Sequence, residues 1–178
     1  MRQIFLDCDG VLADFDTLAN DIFGCDSRLA ESELGSKEFW RRLREHGSFY
    51  RDLPLLPDAL KLYQGVAHLH PKILTGCPVG GWAEPQKVAW AAHHFPSVDI
   101  ITCMSRNKRD HMNPGDILVD DYLKYRDLWI EAGGIFVHHT SAQNSLQQLS
   151  ALGVDVAPSA ENDDKERSSE EALAATNC

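Results

Sequence analysis

The stretch Ile4-Phe5-Leu6-Asp7-Cys8-Asp9-Gly10-Val11-Leu12-Ala13-Asp14-Phe15 decides how the chain is read. A short apolar run stops at two carboxylates one residue apart, followed by a glycine and a second apolar run. Its length, its place near the N-terminus and the turn signal that ends it predict a buried strand. Side chains alternate along a strand, so Asp7 and Asp9 share a side if the extended backbone continues past Leu6. Carboxylates that close raise each other's pKa unless a cation lies between them. The pair therefore points to a magnesium site, an acid–base pair, or both, against the bland alternative of an Asp- and Gly-rich surface turn. An EF-hand calcium loop is excluded, because it needs its glycine at the sixth position and a helix in front.

Outward from this strand the chain alternates between helical and extended patterns. Residues 15 to about 54 read as helical and rather polar: Leu18, Ile22 and Phe23 suit one helix, and 33–45 a second with Leu34, Phe39, Trp40 and Leu43 as its apolar positions. Pro54 and Pro57 punctuate the chain, and a helix follows with Ala59, Leu60, Tyr63, Val66 and Ala67 on its stripe. A strand over 72–75 ends at Gly76. Residues 84–95 predict a helix with Val88, Ala89, Ala92 and Phe95 inward and Trp90 off that stripe. Strands over 98–102 and 117–119 follow, the latter ending in Asp120-Asp121. A helix over 122–132 is closed by Gly133-Gly134; a strand over 135–137 and a helix over 141–152 complete the pattern. Such alternation implies an α/β fold, a three-layer Rossmann-like parallel sheet with helices on both faces. Ligands bind outside the carboxyl ends of such strands. Asp7/Asp9, Thr75/Gly76 and Asp120/Asp121 all lie there, so three clusters distant in sequence are expected to converge on one crevice.

The whole chain narrows the function classes. Its 178 residues, 43% of them hydrophobic, suffice for one buried core plus an insertion. No apolar run is long enough to span a bilayer and no basic start precedes an apolar signal core, so a cytoplasmic protein without a membrane partner is expected. Five cysteines without a Cys-x-x-Cys spacing argue against a disulfide framework or a ribbon-type zinc site. Cys8, Cys77 and Cys103 each follow an apolar run, which would gather thiols at one sheet end and hints at metal or oxidant sensitivity. A net charge of −10 argues against a nucleic-acid polymer as partner, but allows a small anion at a locally positive site. Residues 159–178 carry −4 of that charge with little apolar content and read as a disordered, solvating tail.

The converging clusters suit phosphoryl transfer. Mg²⁺ between Asp7 and the Asp120/Asp121 pair would find the oxygen donors it favours. A carboxylate beside a metal-bound phosphate can attack phosphorus and pass through an aspartyl-phosphate. The Thr75 hydroxyl, backbone N–H groups around Gly76 and a lysine from Ser105-Arg106-Asn107-Lys108-Arg109 would serve the equatorial oxygens.

In these residues the chain resembles the haloacid-dehalogenase (HAD) superfamily of phosphohydrolases. Four signatures stand in order over roughly residues 3–158: Asp7-x-Asp9-Gly10-Val11, Thr75 after a strand, Lys108, and Asp120-Asp121 after a strand. Within the superfamily it is most similar to the 5'(3')-deoxyribonucleotidases and their bacterial relatives. The similar passages are Asp9 to Phe15, Phe49 to Ala59, Lys87-Val88-Ala89-Trp90 and Ser105-Arg106-Asn107-Lys108. The resemblance implies a HAD-like core of residues 1–14 and 55–158 and a helical cap insertion, 15–54. It implies Asp7 as nucleophile and Mg²⁺ ligand, and Asp9 as acid–base with its backbone carbonyl on the metal. Thr75, Gly76 and Lys108 would bind phosphate, with Lys108 also steadying Asp7. Asp121 would ligate the metal directly, with Asp120 nearby or water-bridged. Phe15, Trp40 and Phe49 would line an apolar slot for a base, or else pack as cap core. Gly76 departs from the nucleotidase pattern, which carries a second hydroxyl residue there. The expectation is a Mg²⁺-dependent phosphomonoesterase acting on a deoxyribonucleotide monophosphate. Its alternatives are a HAD phosphatase for another small metabolite and, in a different class, a phospho-aspartate receiver domain.

Overall fold

The computed structural model describes residues 2–158. The acidic segment 159–178, expected as a disordered tail, lies outside the described residues. Five strands, β1 (Ile4–Leu6), β2 (Lys72–Gly76), β3 (Ile100–Cys103), β4 (Ile117–Asp120) and β5 (Ile135–His138), form one sheet in the order β3-β2-β1-β4-β5. Every neighbouring pair is parallel, with Phe5 opposite both Lys72 and Leu118. Parallel strands need crossovers, and the helices α4 (Ala59–Val66), α5 (Glu84–His94), α6 (Arg126–Glu131) and α7 (Ala142–Ala151) supply the covering layers.

Strand alternation divides the apolar side chains between the two faces. Ile4, Leu6, Ile73, Ile117 and Val119 share a large core with Leu62 and Val66 of α4, Trp90 of α5 and Leu149 of α7. Phe5, Leu74 and Leu118 pack on the opposite face with Trp129 of α6. The Trp129 ring meets Phe5 edge-on at 5.8 Å, and its indole N–H donates to the Ile135 carbonyl at 3.1 Å. Each such side chain contributes about 1.5–3 kcal/mol on burial, so both layers hold the sheet. The order places β1 at the centre, where connections depart in both directions, and a crevice opens at the carboxyl ends of β1, β2 and β4.

Between β1 and α4 lie α1 (Phe15–Phe23), α2 (Ser27–Leu34) and α3 (Ser36–Glu45). Where this segment leaves and rejoins the sheet, the chain is tied across its neck. Asp14 N–H donates to Pro54 O at 2.8 Å and Leu56 N–H to Leu12 O at 2.9 Å. Ala19, Ala30, Phe39 and Leu43 continue the larger core rather than forming a separate one.

The structure corrects five expectations about the helices. The single helix expected over 33–45 is two, because Gly35 breaks the path at φ +78°, a conformation that a side chain disfavours. Asp26 starts the earlier of the two, its carboxylate accepting from Arg28 and Leu29 N–H. Residues 46–54 are turns, not helix. The helix expected over 122–132 is a 3₁₀ turn, Leu123–Tyr125, followed by the shorter α6. In α4 the inward leucine is Leu62, whereas Leu60 is half exposed. In α5 the apolar stripe was misplaced: Val88 and Ala92 face solvent, while Lys87, Trp90, Ala91 and Phe95 are buried. The Trp90 indole N–H donates to Leu53 O at 2.8 Å, which pins α5 to the chain that closes the neck. Among the described residues no helix is long and apolar enough to cross a membrane.

Candidate active site

Asp7 is the first residue past β1, and its backbone N–H still donates to Val119 O at 2.9 Å, so strand pairing fixes its position. The carboxylate is nearly buried. Oδ1 accepts from Cys8 N–H at 2.8 Å, and Oδ2 lies 2.9 Å from Lys108 Nζ. Lys108 belongs to a 3₁₀ turn, Ser105–His111, that follows β3, and it also donates to Asp120 Oδ2 at 2.7 Å. One ammonium thus bridges the ends of β1 and β4. Burial would lower its pKa, but the charges of Asp7 and Asp120 outweigh burial and raise it, so Lys108 stays charged.

Asp120 closes β4, its Oδ1 accepting from Tyr122 N–H at 2.8 Å, and Asp121 follows. Asp7, Asp120 and Asp121 each bring a carboxylate oxygen within 4.8 Å of the others. Burial, then the charge of Asp7, pushes Asp120 up to about 6 and Asp121 up to about 7. Burial and mutual repulsion raise these carboxyls, and a cation between them would favour their ionised form. The donor set is all oxygen, which suits Mg²⁺ rather than a softer ion. Gly10 makes room for Asp121: a Cβ there would lie within 2.6 Å of the Asp121 carboxyl carbon and both its oxygens. The φ of +74° at Gly10 also disfavours a side chain. The glycine of the opening motif therefore serves a residue more than a hundred positions downstream.

Asp9 turns to a different lysine. Lys87 of α5 is fully buried, and its ammonium donates to Asp9 Oδ2 at 2.5 Å, Thr75 Oγ1 at 2.8 Å and Gly76 O at 2.8 Å. All three protons are used, and the Tyr50 ring lies 4.5 Å below the nitrogen. Burial raises the pKa of Asp9 although the Lys87 charge opposes it, and Asp9 Oδ1 is buried without a hydrogen-bond partner among the described residues. Thr75 is fully buried beside this group.

Asp7, Asp120, Asp121 and Lys108 are therefore brought together, with Asp9, Thr75 and Gly76 adjoining through Lys87. Lys87 was missed as a site residue. It was quoted only within a passage of resemblance, although its spacing of three and four from Trp90 and Ala91 marks the buried face of α5. Phe15, Trp40 and Phe49 form an aromatic cluster. The Phe15 ring meets Phe49 at 5.1 Å and Trp40 at 6.2 Å, and Tyr50 at 6.3 Å links the cluster to Lys87. Phe49 is fully buried and supports the other two, which stay partly exposed. Cys77 N–H donates to Cys103 O at 2.7 Å, which sets those residues side by side, with Cys8 next to Asp7. Burial pushes all three thiols up, Cys103 to about 11, which disfavours their thiolate forms.

Three outcomes follow from this arrangement. A carboxyl whose pKa is higher in the fold than in the unfolded chain favours the fold only when protonated. Without divalent ions the unfolding temperature should therefore fall as pH rises from about 4 to about 7 and stay low above that. Mg²⁺ should raise it strongly at about pH 8 and hardly at about pH 5; an equal shift at both contradicts the assignment. Gly10→Ala should displace Asp121 and raise the Mg²⁺ concentration giving half that shift by about tenfold or more. Lys87→Met should cost about 3 kcal/mol in urea unfolding by stranding Asp9. Adding Asp9→Asn should recover part of that loss, and an undiminished loss in the double variant would refute a charge-pair role.

No known family profile matches the chain, and no curated protein sequence does. Solved structures do. A hydrolase from Streptococcus pneumoniae TIGR4 superposes with a TM-score of 0.51 at 13% identity, over 84% of this chain and 98% of its own. A dehalogenase superposes at 0.52 and 12% identity, over 79% and 85%. A HAD-superfamily hydrolase from Ehrlichia chaffeensis aligns at a TM-score of 0.48 and 12% identity, over 85% and 98%. At such identities the first two likenesses establish one thing: the chain shares their α/β Rossmann-like fold.

Proposed function

We propose that the chain is a Mg²⁺-dependent phosphomonoesterase of the HAD type that works through an aspartyl-phosphate. The observation that carries the reading is Asp7, a strand-end carboxylate held between Lys108 and two further carboxylates. That setting positions a nucleophile beside both a cation-binding group and a phosphate-binding lysine.

Asp7, Asp120 and Asp121 would hold the ion, with the Asp9 carbonyl joining them as the resemblance implies. Bound there, Mg²⁺ supplies the counter-charge for these carboxylates and polarises a phosphoryl oxygen. The chain's own residues do the rest. An Asp7 oxygen forms a bond to phosphorus as the bond to the leaving oxygen breaks, and Asp9 delivers its proton to that oxygen. Asp9, now ionised, takes a proton from water, the water oxygen bonds to phosphorus, and the bond to Asp7 breaks to release phosphate. The raised pKa of Asp9 supports the first role, and its Lys87 ion pair supports its return to the ionised form. Lys108 neutralises phosphoryl oxygens, and the Thr75 hydroxyl and the backbone around Gly76 complete the cradle.

The helices of residues 15–54 would act as a cap over a core of residues 1–14 and 55–158, with the backbone hydrogen bonds across the neck marking the pivot. The partly exposed Phe15 and Trp40 offer faces for a planar base, which supports a deoxyribonucleotide monophosphate as substrate over a sugar phosphate. The free cysteines among the described residues and the net charge of −10 fit a cytoplasmic enzyme of small phosphorylated molecules, with neither nucleic-acid polymer nor membrane as partner.

With Mg²⁺ present the protein should hydrolyse p-nitrophenyl phosphate and prefer deoxynucleoside monophosphates over ribonucleotides and sugar phosphates. Asp7→Asn should lower turnover by about a thousandfold or more while unfolding at a similar temperature. Equal rates across the panel would remove the nucleotide preference alone; substantial turnover by Asp7→Asn would remove the mechanism.

A further inference from the structure

The hydroxyl of Ser105 occupies the space that a side chain on residue 76 would take. A Cβ built on Gly76 would overlap Ser105 Oγ outright and lie 3.1 Å from Ser105 Cβ. The two meet because Gly76 pairs with Cys103 across β2 and β3, so the chain leaving β3 passes Ser105 over the end of β2. Unlike Gly10, whose positive φ disfavours a side chain anyway, Gly76 has an ordinary backbone; a side chain there would have to turn the Ser105 hydroxyl out of its place.

Ser105 begins the 3₁₀ turn that carries Lys108. In a 3₁₀ helix, residues three apart eclipse one another, so Ser105 and Lys108 present to the same side. Both line a cavity of about 30 Å³ together with Asp7 and Asp120. Thr75 Oγ1 and the Gly76 carbonyl already accept from Lys87. The Ser105 hydroxyl is only partly buried and makes no hydrogen bond among those found between the described residues.

We infer that Ser105 is a phosphate-binding residue whose Oγ–H donates to a phosphoryl oxygen of the substrate held at Asp7. It supplies from the turn after β3 a hydroxyl that the strand end itself lacks at Gly76. The inference rests on the phosphomonoesterase reading above. It makes positions 76 and 105 a coupled pair: the cradle holds one hydroxyl at this point, from either side but not from both.

The coupling gives a reciprocal test with p-nitrophenyl phosphate as substrate and inorganic phosphate as competing ligand. Ser105→Ala should raise KM and the phosphate inhibition constant about tenfold, as loss of a hydrogen bond to a charged group does, with kcat changed much less and the unfolding temperature preserved. Gly76→Ser should weaken phosphate at least as much, because its side chain collides with Ser105. The double variant, Gly76→Ser with Ser105→Ala, should restore both constants to within about threefold of the parent. A structural role for Ser105 would not be rescued this way. Unchanged constants for Ser105→Ala in an active parent overturn this inference alone, as does a double variant no better than Ser105→Ala. If Gly76→Ser does not fold, the constants of Ser105→Ala decide the matter. A parent that neither hydrolyses the ester nor binds phosphate overturns the phosphatase reading and this inference with it.

Discussion

Four carboxylates crowd the carboxyl ends of β1 and β4, and two buried lysines answer them. Lys108 joins Asp7 to Asp120, and Lys87 holds Asp9. Charges 4 Å apart near a protein surface interact by about 4 kcal/mol, so neither lysine can be spared without rearranging the strand ends. The lysines still leave two carboxylates in excess, the amount that one divalent cation neutralises. That excess shows in Asp121, pushed up to about 7 by burial and its acidic neighbours. The sheet brings these groups together by topology alone, since β1 pairs with both β2 and β4.

The two lysines divide the site. Lys108 sits with Asp7 and Asp120, the proposed nucleophile and cation ligands; Lys87 sits with Asp9, the proposed acid–base, and with Thr75. This separation allows two aspartates one residue apart to behave differently. Asp7 is held by strand pairing and by Cys8 N–H, whereas Asp9 is held from the far side by α5. The stability of α5 therefore bears directly on the geometry of Asp9, and Trp90 anchors that helix to the neck of the inserted segment.

Much of this was legible in the sequence, for identifiable reasons. The apolar runs of β1, β2 and β4 end abruptly in Asp, Thr-Gly and Asp-Asp, and a parallel sheet sends such ends to one side. Lys108 stood out because a basic segment follows β3. Other features lay in pairings that one-dimensional patterns do not carry. Lys87 escaped because a stripe read only from apolar residues set Val88 and Ala92 inward, although a buried lysine and a tryptophan define the true face. Gly35 divides a segment whose periodicity runs through it, since backbone conformation at one residue outweighs propensity on both sides. Gly10 and Gly76 make sense only beside Asp121 and Ser105, residues that the sheet brings to them.

The proposed mechanism requires a covalent bond between phosphorus and Asp7. Quenching the Mg²⁺-loaded enzyme during turnover and reducing it with borohydride converts an aspartyl-phosphate to homoserine, which peptide mass spectrometry locates. Homoserine is expected at position 7 and is absent when substrate is omitted. Homoserine at another aspartate, or none while phosphate is being released, would contradict the mechanism.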